Sequence, residues 1–320
     1  MDHSLRLPGW MDVHCHFTPP MTPEETESRW KGMCAEGWHL HAPHKWSLQE
    51  TLEYMDKRGI AMQMLSNIPR TLDALRESNS YGASLVSSYP SRFGLLAALP
   101  TDHCAATLAE IKRATDELNA DGFAVTCCYN GVYLGDPSLE EAMKELDRRS
   151  AVVLVHPNAY ASQVFGRPAA ALEVAFETAR TVINMLYAGV FRRYPNIKFI
   201  IAHCGGAFPA LTGRLSLLGT EAWVPNPNNI TKEEIRQQLG SLYLDTAATA
   251  TAHTLGPALT VVSPDHLVYG SDSGVPCSTS LTVDENLHSL ITFAGLTDAQ
   301  IQDIGIQNPQ GLFPTAANRL

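Results

Sequence analysis

Five side chains in this sequence are of the types that hold and use a metal ion: His14, His16, His156, His203 and Asp272. His14 and His16 form a His-x-His pair, and in an extended strand residues i and i+2 point to one face. Two imidazoles side by side can grip one cation. His156 closes the apolar run Ala151–Val155, His203 closes Ile197–Ala202, and Asp272 follows His266–Gly270. The imidazoles of His14, His16 and His156 with the Asp272 carboxylate suit one divalent ion, Zn2+, with Mn2+ or Fe2+ as alternatives. His203 is then left as an acid/base group beside the ion, and an imidazole titrates near neutrality without much tuning. Each residue alone has an ordinary structural reading. His39-x-His41 repeats the spacing in what reads as a loop, His156-Pro157 could start a helix, Asp272 could cap one, and His203 before Gly205-Gly206 could be a satisfied core histidine. The weight lies in all five falling at strand ends.

The elements that must position them come from the apolar periodicity. Eight short runs read as strands: Trp10–Val13, Ala61–Ser66, Phe93–Leu99, Gly122–Thr126, Ala151–Val155, Ile197–Ala202, Ser241–Asp245 and His266–Gly270. Several are wholly apolar, as parallel strands covered on both faces are. Helical stretches separate them: Ser47–Arg58, Thr71–Tyr89, Cys104–Leu118, Ser138–Arg149, Ala170–Tyr194, Ala207–Leu218, Thr231–Leu239, Ala252–Val262 and Asp284–Phe293. Ser47 with Glu50, and Ser138 with Glu141, have the form of capping boxes. Eight β-then-α units point to a closed (β/α)8 barrel spanning residues 1–320 as one domain, whose active site gathers at the C-terminal strand ends. The open doubly wound sheet is the runner-up and lacks its Gly-rich phosphate loop here. Two segments break the rhythm, an insertion at 17–46 and a turn-rich loop at 219–230, and both are expected to line the pocket. The run Gly122–Thr126 offers no lysine to bridge two ions, so the site is expected to be mononuclear.

Composition limits the partners. A net charge of -10 leaves no basic stripe for nucleic acid, and no run is long enough for a membrane span. Met1–Arg6 carries no apolar signal core. Seven cysteines in irregular spacing fit reduced thiols better than a disulfide frame, so a soluble, cytoplasmic protein is expected.

The stretches Met11–Phe17, Val155-His156-Pro157, Ile201–Gly206 and Tyr269–Asp272 resemble the amidohydrolase superfamily, in particular its metal-dependent, non-oxidative decarboxylases related to aminocarboxymuconate-semialdehyde decarboxylase. Gly131–Pro137, Phe176–Arg180 and Arg193–Phe199 are similar to stretches of 6-methylsalicylate decarboxylase-like members. The resemblance implies metal binding by His14, His16, His156 and Asp272, with His203 as catalytic base or acid. It further implies that Arg214, eleven residues after His203, reaches a substrate carboxylate, in some relatives across the interface of a homodimer. Phe17 and Phe176 are candidate apolar walls for a ring, against the commoner role of core aromatics. Asp12 reads as a brace for the strand end. Two departures stand out. Related benzoate decarboxylases often carry Glu-x-His where this chain has His-x-His, so their metal does not transfer. Ser273-Gly274-Val275-Pro276 replaces the aromatic and proline usual after Asp272, which reshapes the pocket. The implied activity is decarboxylation of an ortho-hydroxybenzoate such as 6-methylsalicylate, with Asp272 or His203 delivering the proton. Metal-assisted hydrolysis of a lactone or amide is the alternative from the same ligands, and a barrel that only binds a metal or ligand is a third reading.

Overall fold

The structure, a computed structural model, describes residues 7–159 and 165–320; Met1–Arg6 lies outside the described residues. Its centre is a ring of eight parallel strands: β1 (Trp10–His16), β2 (Ile60–Ser66), β3 (Phe93–Ala98), β4 (Gly122–Thr126), β5 (Val152–His156), β6 (Lys198–Ile201), β7 (Tyr243–Asp245) and β8 (Leu267–Val268). They pair in chain order from β1 to β8. Closure from β8 back to β1 continues through the segment after β8. The N–H of Val13 donates to Tyr269 O, that of Asp272 to His14 O, and that of His16 to Ser273 O, at 2.8–2.9 Å. A short hairpin, Cys128–Tyr129 with Val132–Tyr133, follows β4.

Two apolar layers hold the ring. Met11, Val13, Met62, Met64, Leu96, Leu154 and Ile200 fill the interior, and Leu312, Phe313 and Ala316 pack onto the same cluster. Phe313 reaches Gly122, the first residue of β4, so this plug sits at the N-terminal end of the strands. The larger layer lies between strands and helices, with Trp10, Cys15, Phe93, Val153 and Tyr269 among its members. In β1 the phase changes midway. Met11 and Val13 face the interior at odd positions, while Cys15 belongs to the outer layer. The register with β2 shifts between Asp12 and Cys15, and the bulge there turns the even-numbered His14 and His16 toward the barrel mouth.

Several boundaries differ from the sequence expectations for local reasons. The stretch Ala170–Tyr194 is not one helix. A 3-10 turn at Ala169–Ala171 precedes the helix Glu173–Tyr187, and Gly189 at φ +72° breaks it from Val190–Arg193. Ser138 is not a cap. Asp136 accepts from the N–H of Ser138 and starts a 3-10 turn ahead of Glu140–Arg148. Ser47 does cap its helix, accepting from the Glu50 N–H at 3.3 Å. The insertion at 17–46 contains a helix, α1 (Pro23–Ala35), closed by a reciprocal capping box between Thr22 and Glu25.

Candidate metal centre

All five sequence-selected residues meet at the C-terminal mouth. His14 and His16 end β1, His156 ends β5, His203 follows β6, and Asp272 follows β8. The four imidazoles form a nest. The His14 ring lies 5.0 Å from those of His16 and His156 and 5.1 Å from that of His203, centroid to centroid. His14 Nε2 is 3.1 Å from His16 Nε2, and Asp272 Oδ1 is 3.2 Å from His16 Nε2 and 3.6 Å from His14 Nε2. Ligand atoms bonded to one tetrahedral Zn2+ at about 2.1 Å are separated by about 3.4 Å, so these three atoms are spaced as ligands of a common ion. His203 Nε2 stands 3.8 Å from the other oxygen, Oδ2. The donors of His14, His156, His203 and Asp272 also lie within 4.8 Å of one another. Such a group of donors could hold a divalent metal ion.

The backbone around the site is unusual. His203, Cys204 and Asp272 hold left-handed φ angles of 54–57° without being glycine, a strain that persists only where neighbours impose it. The chain continues left-handed through Gly205 and Gly206, and a Cβ on Gly206 would lie 2.5 Å from Ala175 O. His203 Nδ1 is buried without a partner among the described residues, so His203 is not a satisfied core histidine.

Neighbouring groups fix the imidazoles. His14 donates from Nδ1 to Asp245 Oδ2 at 2.7 Å, leaving Nε2 free for an ion. Asp245 Oδ1 accepts the N–H groups of His203 and Ala247 at 2.9 and 3.0 Å. His156 donates from Nδ1 to Pro157 O at 2.6 Å, and the next N–H, of Asn158, donates to the Glu177 carboxylate. Neither Asp245 nor Glu177 stood out in the sequence; a carboxylate closing a seventh strand was the available signal for Asp245. Asp12 is a brace, as its place suggested. It accepts from His14 N–H, Ser271 N–H, Ser271 Oγ and Gln63 Nε2, and burial still pushes its carboxyl up to about 6.

Electrostatics separate the imidazoles. Burial pushes His156 well below the usual histidine range, with its neighbouring imidazoles adding to this, and burial also lowers His14. Burial acts the same way on His203, but the Asp272 carboxylate beside it outweighs this and raises the imidazole. Asp272 is held well below the carboxylate range; burial opposes ionisation, and His16 and His203 overcome it.

Above the centre opens a cavity of 1510 Å3. His16, His156, His203 and Asp272 line it, with Phe17 and the segment Gly274-Val275-Pro276. Phe17 is 1% exposed and packs on Trp46 and Tyr81, so it is a core aromatic that also borders the cavity. Phe176 and Arg214 do not line it. Both are exposed on the outer helices Glu173–Tyr187 and Phe208–Leu218. The insertion lines the cavity as expected, but the loop 219–230 does not. That loop follows a helix rather than a strand, and Asn228 ties it to Tyr187 O at the end of the helix leading back to β6. His39 and His41 are exposed and apart from the centre.

A barrel with histidines and an aspartate at these strand ends defines a class, and the amidohydrolase family profile matches residues 11–315. The chain belongs to the amidohydrolase family. It is 31% identical over 288 residues to the decarboxylase macB of Penicillium terrestre, covering 82% of this chain and 83% of that protein. It is 27% identical over 278 residues to the 6-methylsalicylic acid decarboxylase of Penicillium expansum, covering 82% and 84%. The dihydroxybenzoic acid decarboxylase of Polaromonas, solved with manganese and 2-nitroresorcinol, shares the fold with a TM-score of 0.76 at 20% identity, over 98% of this chain and 99% of that one.

Proposed function

We propose that this protein is a metal-dependent, non-oxidative decarboxylase of an aromatic acid, an ortho-hydroxybenzoate of the 6-methylsalicylate type. The observation that carries the reading is the pairing of His203 with Asp272 at the rim of a nest of imidazoles, in a chain whose relatives are decarboxylases.

His14, His16, His156 and Asp272 hold one divalent ion, for which three imidazoles and a carboxylate favour Zn2+; manganese, found in the Polaromonas relative, is the rival. When bound, the ion supplies positive charge that orients the substrate's carboxylate and ortho oxygen and offsets negative charge on them. His203, whose imidazole the Asp272 carboxylate raises against burial, faces the cavity and is placed to deliver a proton to the ring carbon bearing the carboxylate. The bond to the carboxylate then breaks, its electron pair returns to the ring, and CO2 leaves. 6-Methylsalicylate would give 3-methylphenol. His203 is the better donor than Asp272, whose carboxyl is held well below the usual carboxylate range.

The homodimer belongs to the same proposal. Phe176, Leu211 and Leu217 are exposed on two outer helices, the second of which carries Arg214, and a second copy covering them would bring its Arg214 toward this cavity. A cytoplasmic site of action is also part of it, supported by seven free thiols; among the described residues no helix is long and apolar enough to cross a membrane.

The test is anaerobic CO2 release from hydroxybenzoates by metal-loaded protein, with metal analysis of the pure protein. Stoichiometric CO2 and phenol support the reading. Solvent oxygen entering the product from H2(18)O, without CO2, would replace it with hydrolysis.

A further inference from the structure

The cavity exceeds what a single ring requires. At 1510 Å3 it is larger than the roughly 300–1,000 Å3 of sites that take drug-sized ligands, so a single ring beside the imidazoles would leave much of it free. Helix α1 forms one wall, presenting Glu25, Arg29, Gly32 and Met33, with its C-cap residue Glu36 beside them. Their spacing places them along one helical face.

Gly32 sits inside this helix, where glycine is a poor helix former. Its φ is not positive, and a Cβ built there meets nothing within 4 Å. Neither backbone geometry nor packing calls for glycine; a side chain would take up cavity volume instead. The lining also includes Met21, Trp38, Ile68 and Val275. The charged lining residues, Glu25, Arg29 and Glu36 on and beside α1 with Glu77, Glu285 and Arg70 elsewhere, carry a surplus of carboxylates that makes added negative charge unwelcome.

We propose that the α1 side of the cavity is a compartment for an uncharged apolar chain on the ring. The substrate class is then hydroxybenzoates bearing an alkyl substituent several carbons long. This rests on the decarboxylase reading.

The experiment compares 6-methyl-, 6-propyl- and 6-pentylsalicylate with the metal-loaded full chain and its Gly32→Phe variant, with Gly32→Ala as a folding control. A fully buried methylene is worth about 4-fold. In a compartment open on one side about 2-fold each is expected, so kcat/KM for pentyl should exceed methyl by about 10-fold or more. Gly32→Phe should abolish that preference while leaving the methyl substrate within about 2-fold, and Gly32→Ala should leave both unchanged. Equal rates for methyl and pentyl in the wild type, or equal losses on both in Gly32→Phe, would overturn the compartment. Should no hydroxybenzoate release CO2, the decarboxylase reading falls by itself. Calorimetric binding of 3-methylphenol and 3-pentylphenol then judges the compartment: tighter pentyl binding that vanishes in Gly32→Phe supports it, and equal binding overturns it.

Discussion

The Asp245 carboxylate holds His14 by its Nδ1 at 2.7 Å, and both side chains are fully buried. With its other oxygen Asp245 grips the His203 backbone N–H. One carboxylate thereby sets the orientation of the proposed ligand from the first strand and the position of the proposed acid/base residue after the sixth. This is the kind of support that fixes a tautomer and a ring plane before an ion arrives.

Asp245→Asn should weaken metal binding by about 10–100-fold. Asp245 accepts from three donors, His14 Nδ1, His203 N and Ala247 N. An amide has one oxygen, so its NH2 must face at least one of those donors. Chelator competition measures the affinity, with circular dichroism as the check on folding. A folded Asp245→Asn protein that binds metal as the wild type does would remove Asp245 from this role.

His203→Asn is the informative substitution at the proposed acid/base position, because asparagine tolerates the left-handed φ of 55° found there. Loss of a positioned proton donor costs about 100- to 10,000-fold in kcat. Metal content should stay near wild type if His203 stands outside the ligand set. Loss of the ion together with activity would make His203 a ligand in place of His16.

The same variant tests the electrostatics through pH-dependent stability of the metal-free protein. Against burial, Asp272 raises His203 above its unfolded value of 6.5. A raised imidazole contributes stability that is fully present below pH 6.5 and is lost as pH rises through the folded value. His203→Asn should therefore lower Tm more at pH 6 than at pH 9. An equal drop at both would show that Asp272 does not hold a proton on His203.

Much of this was legible in the sequence because parallel strands in a closed barrel are apolar throughout, and functional groups follow their last buried residue. His156 after Val152–Val155 and His203 after Lys198–Ile201 are found this way. The bulge in β1 was not legible, since nothing in Asp12-Val13-His14 marks a register shift that depends on β2. Helix α1 was missed because its two faces differ little in polarity, although Thr22 and Glu25 carried its cap in plain view. Asp245 and Glu177 act through contacts distant in the chain, His14 with Asp245 across 231 residues and Asn158 with Glu177 across 19. Phe176 and Arg214 carried a family expectation that one chain's cavity does not meet.

Gly274 offers a test of how tightly the mouth is built. It holds φ +91°, and a Cβ there would lie 2.0 Å from His16 O and 2.8 Å from His16 C. Alanine faces both a left-handed penalty of about 1–2 kcal/mol and a backbone clash that no rotamer relieves. Either β1 gives way at His16 or the 273–276 segment lifts, and the second route also strains the bond from His44 Nε2 to Gly274 O. Gly274→Ala should thus lose about 2 kcal/mol or more of stability and part of its metal affinity together, read by thermal melts with and without added metal. Serine at the neighbouring Val275, which also lines the cavity but has no such clash, should leave metal affinity intact. A Gly274→Ala protein with unchanged Tm and unchanged metal affinity would mean that His16 is not held by this segment, and the ligand set would have to be redrawn around His14, His156, His203 and Asp272.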